Sequence, residues 1–79
     1  MPTVLREGPY RFYFFSNEGE EPQHIHVKSG KKQAKYWLDP VELEFNRGFR
    51  AHELNEIEEI IEIHAWQFKE AWNEHFDEE

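Results

Sequence analysis

Apolar and polar residues alternate along the first part of the chain, in short segments separated by turn residues. A period of two places successive side chains on opposite faces of a strand. Short turns join the neighbouring segments, so we predict a mostly antiparallel sheet of about four strands within residues 3–46. The four segments, rich in aromatic and β-branched residues, are Tyr10–Ser16, His24–Lys28, Gln33–Leu38 and Val41–Phe45. Val4–Arg6 is a further short extended candidate.

From residue 51 onward the pattern changes to the period of a helix, without Gly or Pro. Side chains spaced by three and four residues form one stripe: Leu54, Ile57, Ile61, His64, Phe68, Ala71 and His75. We predict one long helix over about 51–76, packed on one face of the sheet in a single α+β domain, 1–79. Such a helix would be about 39 Å long and would overshoot strands spaced at about 4.8 Å. We therefore expect either a break near His64–Ala65 or packing of the far end on a second subunit, with Trp66 or Trp72 in a homodimer contact.

Charge divides the chain into two unequal parts. Residues 1–50 hold eight basic and seven acidic side chains, whereas residues 51–79 hold one basic and ten acidic side chains. The second part would repel a phosphate backbone, while the first could approach one, so RNA remains a candidate partner for the sheet. The acidic helix is either a solvated face or a docking surface for a basic protein partner.

Composition also bears on the cellular setting. The chain lacks cysteine, which fits a reducing cytosol, and we expect a cytoplasmic protein. No apolar run approaches the roughly 18 residues of a membrane span, so we expect no contact with a membrane. The core must come from aromatic side chains, because seven Phe, three Tyr and three Trp dominate the apolar residues.

Two histidines carry the most distinctive chemistry of the sequence. His24, His26 and Lys28 alternate along one segment and would form a row on one face of a strand. The row favours acid–base chemistry, phosphate binding or plain solvent exposure. The structural alternative is that one histidine packs under the aromatic rings while the other hydrogen-bonds a loop. A metal would need a third ligand, for which Glu18, Glu21 and His52 are candidates. Because a lysine is a poor neighbour for a metal ion, we expect no metal and no other cofactor.

A phosphate site would need further cations around the histidines. Arg6, Arg11, Lys28 and Lys35 are the available ones, and Glu18 is the candidate carboxylate that would orient a histidine. Tyr36 and Trp37 lie on opposite faces of their segment, so one belongs to the core and the other can stack on a base.

Several motifs together resemble one family over nearly the whole chain. They are Met1–Gly8, Tyr10–Phe12, Phe14–Glu18, Glu21–Pro22 with His24–Val27, Ala34–Leu38, Asp39–Leu43, Asn46–Phe49 and Glu53–Leu54. The chain thus resembles the small bacterial family catalogued as domain of unknown function 4160. The family would place a small hydroxylated residue at Arg50 to cap the helix. Its members are often encoded beside another small protein, of the domain of unknown function 2442, in pairs that resemble toxin–antitoxin modules.

Two functions of different classes follow, and the sequence leaves open whether the protein is an enzyme. The preferred hypothesis is a binding or regulatory component of a two-gene, toxin–antitoxin-like module that acts through a protein partner. The alternative is a small ribonuclease-type toxin that uses His24 and His26 as acid and base, with Arg and Lys contacts to the phosphate.

Overall fold

The structure, a computed structural model, describes residues 3–15 and 20–76 of the chain. Five strands come first: β1 (Thr3–Glu7), β2 (Tyr10–Tyr13), β3 (His24–Ser29), β4 (Lys32–Leu38) and β5 (Val41–Arg47). Two helices follow, α1 (Ala51–Ile63) and α2 (Ala65–Phe76). The strands form one sheet in the order β1-β2-β3-β4-β5, in which every neighbouring pair is antiparallel. The predicted α+β class with an antiparallel sheet is confirmed.

The sheet has five strands where about four were predicted. The additional one is β1, which pairs with β2 from Thr3 to Glu7. Gly8 makes the connection possible, because its φ of 58° lies in the left-handed region that a tight turn between β1 and β2 requires. The short Val4–Arg6 segment gave too weak an alternation to be counted as a full strand.

The single long helix is likewise corrected to two helices. Together α1 and α2 span the predicted range 51–76, but His64 takes a turn conformation between them. The β-branched residues Ile60, Ile61 and Ile63 lower helix propensity just before this point. The interruption allows both halves to pack on the sheet, because α1 buries Ile57 and Ile61 while α2 buries Phe68 and Trp72. None of the described helices is long and apolar enough to cross a membrane.

The core lies between one face of the sheet and the two helices. We call α1 and α2 together the helix layer. Phe12 of β2 packs on Phe68 of α2 with ring centroids 5.4 Å apart, as the predicted contact between the aromatic strands and the helical stripe requires. The neighbouring strands contribute Ile25, Val27 and Tyr36 to the core, and all three side chains are fully buried. Bulky rings thus build most of the core of this small domain.

Polar contacts fix the helix layer to the sheet. The Tyr10 hydroxyl donates to a Glu56 carboxylate oxygen at 2.6 Å, and Lys32 Nζ donates to Glu53 Oε2 at 2.6 Å. Burial first, and then the bond to Glu56, raises the pKa of Tyr10 to about 12. The Lys32 ammonium lowers the pKa of the Glu53 carboxyl, which also accepts the Arg50 backbone N–H at 2.8 Å. Arg50 is the residue before α1, where a small hydroxylated residue was expected. The Glu53 side chain therefore caps the start of the helix by accepting the Arg50 backbone N–H.

Candidate functional site

No described helix or strand covers the second side of the sheet, which we call the open face. Strand pairing aligns two rows of side chains across it. The first, the cationic row, consists of Arg6, Arg11, Lys28, Gln33 and Arg47, each paired with the next on adjacent strands. The second, the mixed row, consists of Thr3, Tyr13, His26, Lys35 and Phe45 in the same strand order. Corresponding members are two residues apart along each of the last four strands, so both rows share one face.

A bulge in β5 completes both rows. Tyr36 pairs with Leu43, but Lys35 pairs with Phe45, so Glu44 is an extra residue with no partner on β4. Strict alternation would place Phe45 on the same side as Leu43, toward the helix layer. The bulge reverses the sides beyond Glu44 and brings Phe45 and Arg47 to the open face.

The structure brings together the four cations that the sequence predicted for phosphate contacts. Arg6, Arg11 and Lys28 lie in the cationic row, and Lys35 lies in the mixed row beside it. Lys35 Nζ pairs with Glu21 Oε1 at 2.9 Å. Arg6, Arg11, Lys28 and Arg47 make no ion pair with any carboxylate of the described residues. The cationic row therefore holds four charges that no described acid neutralises.

The mixed row is built around stacked rings. His26 stacks on Tyr13 with centroids 5.3 Å apart and planes 18° apart, and the Phe15 ring meets His26 edge-on at 4.8 Å. Arg11 and Lys28 lie over the Tyr13 ring at 5.4 and 6.0 Å, so Tyr13 is buried although it belongs to the open face. Cation–π contacts of this kind hold the charged groups close to the rings.

A cleft of about 320 Å³ opens between these rows. Its walls include Phe15 and Phe45, and Tyr13, His26, Lys28 and Lys35 also line it. Phe15 is 39% exposed and Phe45 is 42% exposed, so each ring presents apolar surface to solvent. Glu44, the extra residue of the bulge, contributes a negative charge to the same cleft. The cleft thus combines aromatic walls with a mainly cationic lining.

His24 differs sharply from His26, although the sequence placed both in one row. The β2–β3 pairing ends at Tyr13 and His26, so His24 lies beyond the end of β2. There Trp72 of α2 reaches its ring at 4.8 Å, and the side chain is fully buried. Its Nδ1–H donates to the Pro22 carbonyl at 2.9 Å. The predicted row of His24, His26 and Lys28 is therefore divided by burial, and only its last two members reach the cleft.

The three residues considered as a third metal ligand fall in different places. Glu18 lies outside the described residues. Glu21 Oε1 is 3.7 Å from His24 Nδ1 and also binds Lys35, whereas His52 is exposed on α1. Within residues 3–15 and 20–76 no group of three or more potential ligands is arranged to hold a metal ion.

Four residues of the open face did not emerge as candidates from the sequence: Tyr13, Phe15, Phe45 and Arg47. Counting by two along β2 from Arg11, a predicted cation, reaches Tyr13 on the same face. The same count fails for Phe45 and Arg47, because the bulge at Glu44 leaves no signal in the alternation of Val41–Phe45. Of the Tyr36/Trp37 pair, Tyr36 belongs to the core and Trp37 lies half-buried on the open face beside Lys35.

The helix layer carries a separate exposed feature at its junction. Trp66 and Ile63 are 73% and 72% exposed, the highest values among the large apolar side chains of the described residues. Trp72, the other tryptophan considered for an intermolecular contact, is buried in the core at 5% exposure. His64, a member of the predicted helical stripe, is half-buried and hydrogen-bonds the Gln67 side-chain oxygen at 3.2 Å. Trp66 is therefore the tryptophan available for a contact.

Comparison with known proteins identifies the family. The model of a domain of unknown function, DUF4160, matches residues 10–73, and the chain belongs to that family. No curated protein and no solved structure matches the chain. The matched range includes β2 to β5, α1 and most of α2, so it contains the cleft and the Trp66 junction.

Proposed function

We propose that this protein is a binding component of a two-gene, toxin–antitoxin-like module and acts through a protein partner that receives Trp66. The observation that carries the proposal is the exposure of Trp66, which at 73% is the highest among the large apolar side chains of the described residues. Aromatic side chains are the commonest anchors of protein interfaces, and tryptophan is the most enriched among them. The pairing of members of this family with a second small gene supports the same proposal.

Charge around Trp66 selects the chemistry of the partner. Glu62 and Glu70 lie four residues before and after it, and both are exposed. A matching surface would have an apolar pocket for Trp66 and Ile63 with basic residues around it. A second copy of the chain would instead bring two acidic helix layers together. We therefore place a basic protein partner ahead of the predicted homodimer.

Burial of His24 favours binding over RNA cleavage. Acid–base catalysis needs side chains within hydrogen-bond reach of the substrate. His24 has no exposed surface, while His26 is partly exposed and stacked on Tyr13. The ribonuclease alternative thus has one open histidine where its mechanism calls for two. Expression of the protein alone should leave cellular RNA intact and growth unaffected. RNA decay that a His26→Ala variant abolishes would support the alternative instead.

The partner proposal is tested by co-expression with the product of the neighbouring small gene. The wild type should co-purify with it, and Trp66→Ala should weaken the complex by about 2–4 kcal/mol, the range of an interface anchor. Asn55→Ala, an exposed change on α1, is the matched control and should bind as the wild type does. Tryptophan emission should shift to the blue on binding in the wild type, because Trp66 then leaves water.

Two results would contradict the proposal. One is a Trp66→Ala variant that folds and binds the neighbouring protein as tightly as the wild type. The other is a wild-type dimer in sedimentation that Trp66→Ala converts to a monomer, which would assign this surface to a second copy of the chain.

A further inference from the structure

We propose that the open face binds a short single-stranded nucleic acid, with its phosphates along the cationic row and a base in the cleft between Phe15 and Phe45. The proposal concerns the opposite side of the sheet from Trp66. It therefore goes beyond the proposed partner contact and does not depend on it.

The first step is the unneutralised charge of the cationic row. The chain has 17 acidic and nine basic side chains, so an acid partner for each cation would be easy to supply. Lys32, Lys35 and Lys69 each have one, at Glu53, Glu21 and Asp39. The four cations of the row have none among the described carboxylates. These charges stand on four of the five strands, while β4 contributes the neutral Gln33. With strands spaced at about 4.8 Å, they suit an extended polyanion.

The second step is the placement of the rings beside that row. Phe45 lies two residues before Arg47 on the same face of β5, and the Arg47 guanidinium lies 5.8 Å from its ring. Phe15 stands on the other side of the cleft, against His26 and Tyr13. Nucleic acid binders that grip single strands combine a cationic track with exposed aromatic rings on which bases stack. The bulge at Glu44 produces this combination, since it carries both Phe45 and Arg47 to the open face.

The third step distinguishes single strands from duplexes. Bases in a duplex are stacked on each other and cannot enter a cleft between two protein rings, whereas unpaired bases can. The helix layer repels phosphate because its exposed surface includes Glu59, Glu62, Glu70 and Glu74. A bound strand is thus confined to one side of the molecule.

Among the described residues that line the cleft, Glu44 is the one that opposes an anion. Its carboxylate lines the same cavity as Lys28 and Lys35. Removing this charge should strengthen binding, which is a direction that a loss of structure would not produce. Glu44→Gln therefore serves as a gain-of-affinity variant.

The experiment is fluorescence anisotropy of a labelled oligouridine with the purified full chain. For three phosphate contacts, affinity should fall roughly 20-fold between about 50 and 200 mM salt. Lys28→Gln and Arg47→Gln should each weaken binding several-fold and lower the salt slope by about 0.7. Phe45→Ala should weaken binding roughly tenfold. Lys69→Gln removes the same charge from the helix layer and should bind as the wild type does.

Each outcome decides for or against the proposal. Oligothymidine DNA that binds as well supports it, since both polymers offer phosphates and unpaired bases. Absence of wild-type binding at about 50 mM salt would overturn it. Equal weakening by Lys69→Gln and Lys28→Gln, or a duplex bound as tightly as the single strand, would also overturn it. Melting curves of each variant establish that the comparison is between folded proteins.

Discussion

The two faces of the sheet are made by the same strands but follow different rules. Toward the helix layer, Phe12, Ile25 and Tyr36 are fully buried and pack against Ile57 and Phe68. Toward the open face, the same strands present charged side chains and rings that keep contact with water. The covered face holds the molecule together, whereas the open face has charge and aromatic surface that its own fold leaves unused.

The difference shows how a small domain can separate stability from binding. Alternation alone would give an open face of ordinary solvated residues. The bulge at Glu44 changes this at one edge, because it moves Phe45 from the covered side to the open side and takes Arg47 with it. The bulge interrupts the regular pairing of β4 and β5, and it thereby enlarges the surface available for a ligand.

The largest expected contrast is between a ring on each face. Phe12→Ala should lower the free energy of unfolding by about 3–5 kcal/mol, because it leaves a cavity in a fully buried core. Phe45→Ala should change it by less than about 1 kcal/mol, because that ring is already partly in water. Urea unfolding of the two variants checks the contrast. Equal losses would mean that the open face is also part of the structural core.

A pH contrast comes next. Burial raises the pKa of Tyr10 and of Tyr36 to about 12, with added contributions from Glu56 and Glu58 respectively. The unfolded chain loses these protons near pH 10, before the folded protein does, so stability should fall between about pH 10 and pH 12. The loss is at most about 3 kcal/mol for each tyrosine, because solvent near the hydroxyls screens part of the effect. Unfolding measured across this range in the wild type and in Tyr10→Phe checks it, and Tyr10→Phe should lose less than the wild type.

The two histidines give the third contrast. His24→Ala should cost about 2 kcal/mol, because it removes a buried ring from Trp72 and the hydrogen bond to Pro22. His26→Ala should cost less, since that ring is partly exposed. Thermal melting of both variants tests the division, and a larger loss for His26→Ala would contradict it.

The smallest effect concerns the start of α1. Lys32 lowers the pKa of Glu53, so this carboxylate stabilises the fold above its unfolded value of 4.5 and loses that effect as pH falls through its folded value. Glu53→Gln should melt earlier than the wild type at neutral pH and at nearly the same temperature in strong acid. The exposed Glu59→Gln variant is the control and should follow the wild-type curve, so similar behaviour of the two variants would remove the role of the Lys32 pair.

Periodicity was sufficient to predict the class of fold and the contact between sheet and helices. Apolar residues recur every two positions in Tyr10–Phe12 and every three to four positions in Leu54–Phe68. Both spacings follow which side chains are buried, so they predict the packing that the structure shows. The break at His64 was one of two ways to fit a long helix on a narrow sheet, and the stripe itself continues through it unchanged. Local pattern cannot decide such a point, because the choice depends on how both halves meet the sheet.

The open face was predicted less completely, because its arrangement also depends on how separate elements meet. Arg6, Arg11, Lys28 and Lys35 emerged as cations of the sheet half, but their alignment depends on strand register. Phe45 and Arg47 were missed because a bulge of one residue reverses the sides of a strand without altering its composition. His24 was placed with His26 by alternation, while its burial comes from Trp72, which is distant in sequence.

Amide chemical-shift mapping with oligouridine would test most directly the central claim, that the open face is the surface that binds nucleic acid. Shifts should concentrate at Arg11, Lys28, Lys35 and Phe45–Arg47, with α1 and α2 unchanged around Trp66. Shifts centred on the helix layer, or none at low salt, would contradict the assignment of nucleic-acid binding to the open face.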